Sequence, residues 1–228
     1  MATSEVQNGV LTLKEIRANP RIKAYIEGAN ELLNAIGYTE HGFRHAGIVA
    51  GISKNIIATL GYEPRQAELA AIAGYMHDIG NVISRTNHPQ TGATMAFRLL
   101  EEMGMETKEI ALIIGAIGNH EEPGGEPVHW MSAAVILADK SDVHSSRVQN
   151  PDPHSFDIHD RVNFAVQRSR VDIIPEEKKI ILDLQTDGKA ASMMEYFEIF
   201  LERMVMCNKA AQTLGCRFHL HVNGTQIG

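Results

Sequence analysis

Six ionisable side chains sit where ionisable groups are costly. His45 opens an apolar helical run, His77 and Asp78 end another in AAIAGYMHDIGN, and His88 precedes Pro89. His120 follows the apolar stretch IIGAIGN, and Asp139 interrupts AAVILADK. A buried polar group without a partner loses its hydration uncompensated. One such histidine is ordinarily satisfied by a backbone carbonyl. Six on five separate segments call for a shared partner. Four imidazoles and two carboxylates suit a pair of divalent transition metals (iron, manganese, zinc or nickel), and the lack of thiolate speaks against a structural zinc site. Adjacency of His77 and Asp78 fits this chemistry, since the imidazole can bind one ion while the two carboxylate oxygens bridge both.

The elements that must carry these residues are mostly helices. Apolar residues at helical spacing run from Gly42 to Leu60, and Pro64 opens a helix through Leu69, Ile72 and Met76. Pro20 marks a helix break or start, and Pro89 suits a helical first turn. Gly80 is read as a left-handed helix terminator. Thr107 reads as an N-cap, with Glu109 in the first turn of a buried helix reaching His120. EEPGGEP is a loop, a further helix covers about 129–144, and 150–159 reads as a surface loop. The last sixty residues differ: RVDIIPEEKKIILDLQTD predicts a hairpin around PEE, followed by one helix and a terminal strand. The sequence thus predicts a mainly α bundle over residues 1–165 and a small α/β extension over 166–228, with short antiparallel strands, packed on that body. Short connections between antiparallel helices can gather the six residues in one core.

Composition narrows the function. A chain of 228 residues with 44% hydrophobic and 21% charged residues is ordinary for a globular protein. The net charge of −7 argues against nucleic acid polymers and anionic membranes as partners, but a small phosphorylated substrate remains compatible because bound cations dominate a local field. No apolar run of membrane-spanning length occurs, and MATSEVQNGVLTLKEI lacks the pattern of a secretion signal. Cys207 and Cys216 are the two cysteines, which fits a reduced, cytoplasmic setting. A homodimer through the extension is compatible with the sequence. Of the other histidines, His129, His144, His154, His159, His219 and His221 read as structural or surface residues.

HGFRHAGIVA, AAIAGYMHDIGN, NHPQTGATMAFRLLEEMG, IIGAIGNHEEPGG and AAVILADKSDV, in that order, resemble the HD-domain metal-dependent phosphohydrolases over about residues 28–147. The short gap from His-Asp to HPQTGA and the ADK ending resemble the branch with two metals. The resemblance implies an HD-type helical bundle. It implies that His45, His77, Asp78 and Asp139 hold one ion, with Asp78 bridging to a second held by His88 and His120. Asn81 stands where many relatives have lysine, and no GYP motif follows the His-Asp pair, so cyclic di-GMP is not the expected substrate.

The implied activity is hydrolysis of a phosphoester or phosphoanhydride in a nucleotide-like substrate by a hydroxide that bridges the metals. Asp78 and His41 are the expected catalytic residues, His41 as a proton donor to the leaving group or a phosphate contact. Arg85, Lys140 and Arg147 are expected to meet substrate phosphate. Two alternatives share the resemblance: a diiron oxygenase, which has the same ligand types, and a non-catalytic signalling module, which generally loses them.

Overall fold

The computed structural model describes residues 10–227. Residues 1–9, which include most of the stretch read as lacking a secretion signal, lie outside them. The helical body comprises α1 (Leu13–Ala18), α2 (Pro20–Ala35), α3 (Phe43–Thr59), α4 (Pro64–Met76), α5 (His88–Glu102), α6 (Thr107–Gly118) and α7 (Trp130–Ser141). A short α8 (Ile158–Ala165) leads into the extension. Pro20 starts α2 behind an Asn19 cap that accepts from the Arg21 and Ile22 amides, and Pro64 starts α4. Among the described residues, no helix is long and apolar enough to cross a membrane.

Helices α4 and α7 form the centre. From Leu69 to Met76, and from Met131 to Ser141, every residue is buried, so neither helix keeps a solvent face. Small residues let neighbours come close. A Cβ on Gly74 would stand 2.9 Å from Ser53 Oγ and 3.0 Å from the Val49 carbonyl, so α3 packs directly on α4 there. That contact brings the start of α3, with His45, toward the end of α4, with His77. Large apolar groups such as Ile56, Ile57, Ile72, Leu99 and Leu100 fill the surrounding space, each contributing about 1.5–3 kcal/mol by burial.

Gly80 does not end α4 by a left-handed turn. Helix α4 stops at Met76, and Gly80 lies in a 3-10 turn, Ile79–Val82, with no positive φ. Its role is proximity: an added Cβ would fall 2.1 Å from the His88 carbonyl and 2.5 Å from the Gly92 amide. The bare backbone lets α5 seat against the turn after Asp78. Two further boundaries differ from expectation. Glu106, not Thr107, caps α6 by accepting from the Glu109 amide at 3.1 Å. Helix α8 takes up the end of the expected 150–159 loop, capped by Asp157, which accepts from the Asp160 amide at 2.8 Å.

The extension is a four-stranded sheet in the order β1 (Val166–Ile174), β2 (Lys179–Thr186), β3 (Arg217–Val222) and β4 (Thr225–Gln226), with α9 (Met193–Thr213) between β2 and β3. The expected hairpin is present, turning through Pro175–Glu177 with Lys178 left-handed. The strands are not all antiparallel: β3 pairs with β2 in parallel. A helical crossover returns the chain to the same end of the sheet, which only a parallel pairing accommodates. Alternation puts Ile180, Leu182, Leu184, Leu220 and Val222 on one buried face. Helix α9 packs against both β3 and α7. Cys207 and Cys216 are free and buried, and burial pushes the Cys207 thiol up to about 12.

The seat of α5 gives a direct test. Gly80→Ala should lower stability by about 1–3 kcal/mol, the usual cost of overpacking a tight contact. The expected result is a lower urea midpoint with an unchanged denaturant slope; an unchanged midpoint would refute the seating role of this glycine.

Candidate metal centre

Five segments deliver the six residues to one place. His45 comes from the first turn of α3, His77 and Asp78 from the end of α4, and His88 from the first residue of α5. His120 follows α6, and Asp139 comes from the last turn of α7. All six are buried, although Asp78 and Asp139 keep 8% and 9% exposure, which leaves the carboxylates as the edge that a ligand can reach.

Each imidazole is fixed through Nδ1. His77 bonds the Gly74 carbonyl at 2.8 Å, His88 the Arg85 carbonyl at 3.0 Å, and His120 the Ile117 carbonyl at 2.6 Å. His45 Nδ1 meets Asp142 Oδ2 at 2.7 Å. All four partners are acceptors, so Nδ1 carries the proton and the neutral ring turns a lone pair outward on Nε2. Those lone pairs face one another in two couples. His45 Nε2 and His77 Nε2 are 3.3 Å apart, and His88 Nε2 and His120 Nε2 are 3.1 Å apart.

Asp78 stands between the couples. Its Oδ2 lies 3.2 Å from His77 Nε2 and 3.6 Å from His45 Nε2. Its Oδ1 lies 3.2 Å from His88 Nε2 and 3.7 Å from His120 Nε2. Asp139 Oδ1 lies nearest the first couple, at 3.3 Å from His45 and 3.6 Å from His77. Facing lone pairs and carboxylates repel without positive charge among them. Three overlapping groups, His45–His77–Asp78, His77–His120–Asp139 and Asp78–His88–His120, have ligand atoms close enough to share an ion. Imidazole and carboxylate oxygen suit divalent transition metals, so the donor set fits.

In the metal-free chain a proton must take that role. Burial opposes the charged form of His77, but Asp78 and Asp139 outweigh it and raise the imidazole to about 10. Burial likewise opposes ionisation of both aspartates. His77 and the other imidazoles hold Asp78 well below the carboxylate range, and Lys140, His45 and His77 do the same for Asp139. Burial drives His120 below the usual imidazole value.

The other expected site residues divide. Arg85 lies at the mouth, paired with Glu121, 3.3 Å from His88 Nε2 and over the Tyr38 ring at 5.5 Å. Lys140, expected to meet substrate phosphate, is fully enclosed and faces carboxylates. Its ammonium donates to Glu121 at 2.9 Å and lies in ion-pair contact with Glu122 at 2.8 Å and Asp139 at 2.9 Å. Arg147 is also buried and committed, donating to the Glu40 carbonyl from Nε and Nη2 and to the Asp142 carbonyl from Nη1. It clamps the segment before α3 to the segment after α7. His41 lies with its ring centroid 5.4 Å from that of His45, and Nδ1 meets the Thr39 carbonyl at 2.6 Å. Burial, reinforced by Arg147, lowers its pKa well below the usual value.

Three residues escape the sequence reading, and Asn81 enters it only as a departure from lysine. Asp142 buttresses His45 and is paired with Arg44; His45, Arg147 and Arg44 keep it ionised despite burial. Asn81 is buried and donates from Nδ2 to Asp78 Oδ1 at 2.9 Å. Glu121 and Glu122 hold Lys140. Acid residues directly after His120 and three positions after Asp139 were the available signals. His129 and His144, read as structural, cap α7 and a 3-10 turn through ring nitrogens.

The proton on His77 has a consequence for pH. Its folded pKa is raised from the ordinary 6.5, so its contribution to stability is complete below 6.5 and is lost as pH rises toward 10. The metal-free protein should therefore lose stability over that window, measured by denaturant titration at stepped pH, while metal-loaded protein resists the loss. Proton release on metal addition at pH 8, read from buffer-dependent calorimetry, is the companion result. A flat stability profile of the metal-free protein between pH 6.5 and 10 would contradict it.

Residues 42–148 match the HD domain family. The chain is 24% identical over 180 residues to an uncharacterized protein of Methanocaldococcus jannaschii, a span of 69% of each protein. It also resembles the crystal structure of a predicted HD superfamily hydrolase from an uncultured Thermotogales bacterium. That resemblance has a TM-score of 0.43 and 22% identity, over 59% of this chain and 76% of the other. The segment that matches the HD domain family contains all six converging histidines and aspartates.

Proposed function

We propose that the protein is a metal-dependent phosphohydrolase that cleaves a phosphoester or phosphoanhydride in a small nucleotide-like substrate. The observation that carries this reading is Asp78, whose two oxygens face separate imidazole couples. His45, His77 and Asp139 would hold one divalent ion, His88 and His120 the other, with Asp78 shared. Two ions in such a site supply Lewis-acid stabilisation of phosphoryl charge and acidify a water toward neutrality.

The protein's own groups supply the rest. Asn81 pins the Asp78 carboxylate in its shared orientation from inside the core. Backbone carbonyls and Asp142 hold the imidazoles in the tautomer that leaves Nε2 free to bind. His41, whose ring lies near that of His45, would give a proton to the leaving group or meet substrate phosphate. A recess of about 410 Å³ opens beside His88, lined by Arg85, Asn87, Gln90, Glu121 and the Pro123–Gly125 loop. That volume suits a small molecule. Arg85 is the partly exposed cation on its wall, and a substrate phosphate would compete with Glu121 for the guanidinium fork. With a net charge of −7, the chain lacks the basic surface that a nucleic acid polymer needs.

A panel of nucleotides, dinucleotides and simple phosphoesters, offered to metal-replete protein, tests the reading. The expected result is turnover of at least one, lost together with bound metal in Asp78→Ala. Arg85→Ala should retain metal and lower kcat/KM by about 10- to 100-fold, the range for a charged hydrogen bond. Full activity of metal-replete Asp78→Ala would overturn the bridging assignment. If wild type cleaves nothing and iron-loaded protein consumes oxygen, the enzyme is an oxygenase instead.

A further inference from the structure

The extension lies outside the HD match, yet one of its side chains connects to the metal centre. Arg203 projects from α9 and stacks over the buried Phe200 ring at 4.5 Å, which fixes the guanidinium. Its Nε donates to Glu122 Oε1 at 3.1 Å. The other oxygen of Glu122 lies 2.8 Å from Lys140 Nζ, and Nζ lies 2.9 Å from Asp139 Oδ2. Asp139 then turns Oδ1 toward His45 and His77. Four alternating charges thus run unbroken from α9 to the first imidazole couple.

We propose that Arg203 is a positioning residue for Asp139, acting through Glu122 and Lys140, so that the extension tunes metal binding at the His45–His77 pole. The inference rests on the two-metal reading above.

The physical basis is the burial of Lys140. At 1% exposure its ammonium has no water to fall back on, so its protons are shared among the carboxylates it touches. While Arg203 holds Glu122 in place, Lys140 divides its charge among Glu121, Glu122 and Asp139. Asp139 then presents one committed oxygen to Lys140 and one to the pole. Without Arg203, Glu122 loses its second partner and can leave. Lys140 then leans on Asp139 and competes with an ion for that carboxylate. Asp139 lies nearest His45 and His77, at 3.3 Å and 3.6 Å, so the effect falls mainly on that pole. The His88–His120 pole, served by Asp78, is spared.

Calorimetric titration of metal-stripped, full-length protein with Mn²⁺ provides the test, because it reads binding without turnover. Wild type should show two binding events. Arg203→Ala should weaken one by about 10- to 100-fold, the usual effect of losing an outer partner of a metal ligand, and leave the other unchanged. Arg203→Lys should recover part of the loss, since an ammonium can still pair with Glu122. Should Arg203→Ala fail to fold, Glu122→Gln removes the same charge link and should weaken the same event. Met204→Ala, which loosens α9 without touching Glu122, separates positioning from packing and should leave both events intact. Two unchanged events in Arg203→Ala or Glu122→Gln would overturn the proposal, as would equal weakening of both events. Equal loss in Met204→Ala would overturn it too. Failure of wild type to bind Mn²⁺ at two positions would defeat the two-metal reading first, and this inference with it.

Discussion

Repulsion among unpaired electron pairs is the constraint around which the helical body is arranged. Four Nε2 lone pairs and two carboxylates are buried within a few ångströms of one another. An assembly of that kind is stable only if cations lie within it and if every other polar edge is already satisfied. Both demands are visible. Each Nδ1 has its own acceptor, so no ring can turn to relieve the crowding. Three of those acceptors are backbone carbonyls three residues back; Gly74 and Ile117 lie in the last turn of their helices, where a carbonyl lacks its helical partner, and Arg85 precedes α5. Helix ends thereby serve twice: they present the ligand and orient it.

The same constraint explains the surrounding ring of ion pairs. Lys140, Arg147, Arg44 and Arg85 neutralise Glu121, Glu122, Asp139 and Asp142 in direct contact with the ligand shell. None is a generic surface pair, whose contribution would be small. Buried charges of one sign next to an anionic site would raise carboxylate pKa values and empty it of metal. With the outer cations in place, Asp139 and Asp142 remain ionised despite burial, and the imidazoles keep Asp78 so. The negative charge needed to attract an ion is therefore kept, while the cost of confining it is distributed outward.

This layering separates what was legible in the sequence from what was not. The six inner residues announce themselves because His and Asp conflict with their apolar neighbours, and that conflict is local: AAIAGYMHD and AAVILADK show it without any fold. The outer residues show no such conflict. Lys140 after an aspartate, or Arg147 in a polar stretch, reads as an available cation, and only the packing of α7 beneath the Glu121–Glu122 segment reveals that Lys140 is enclosed. Gly80 fails for a related reason. A glycine after a helix suggests a left-handed turn, whereas its actual demand, the approach of His88 and Gly92, comes from a segment eight to twelve residues on. The parallel pairing of β3 is of the same kind, since strand patterns carry face but not direction.

The two poles are not equivalent, and the asymmetry follows from chain connectivity. Asp139 belongs to α7, the helix that also carries Lys140 and packs against α9, so the His45–His77 pole is tied to the extension. His88 and His120 belong to α5 and α6, which pack on each other, and their pole opens toward the recess lined by Arg85 and the 121–125 loop. One pole is thus braced from behind by buried charge, and the other borders space that a ligand can enter. A carboxylate shared between them, pinned by Asn81 on the oxygen nearer the recess, couples a rigid position to an accessible one. On the two-ion proposal, one ion would be held fixed while substrate exchanges beside the other.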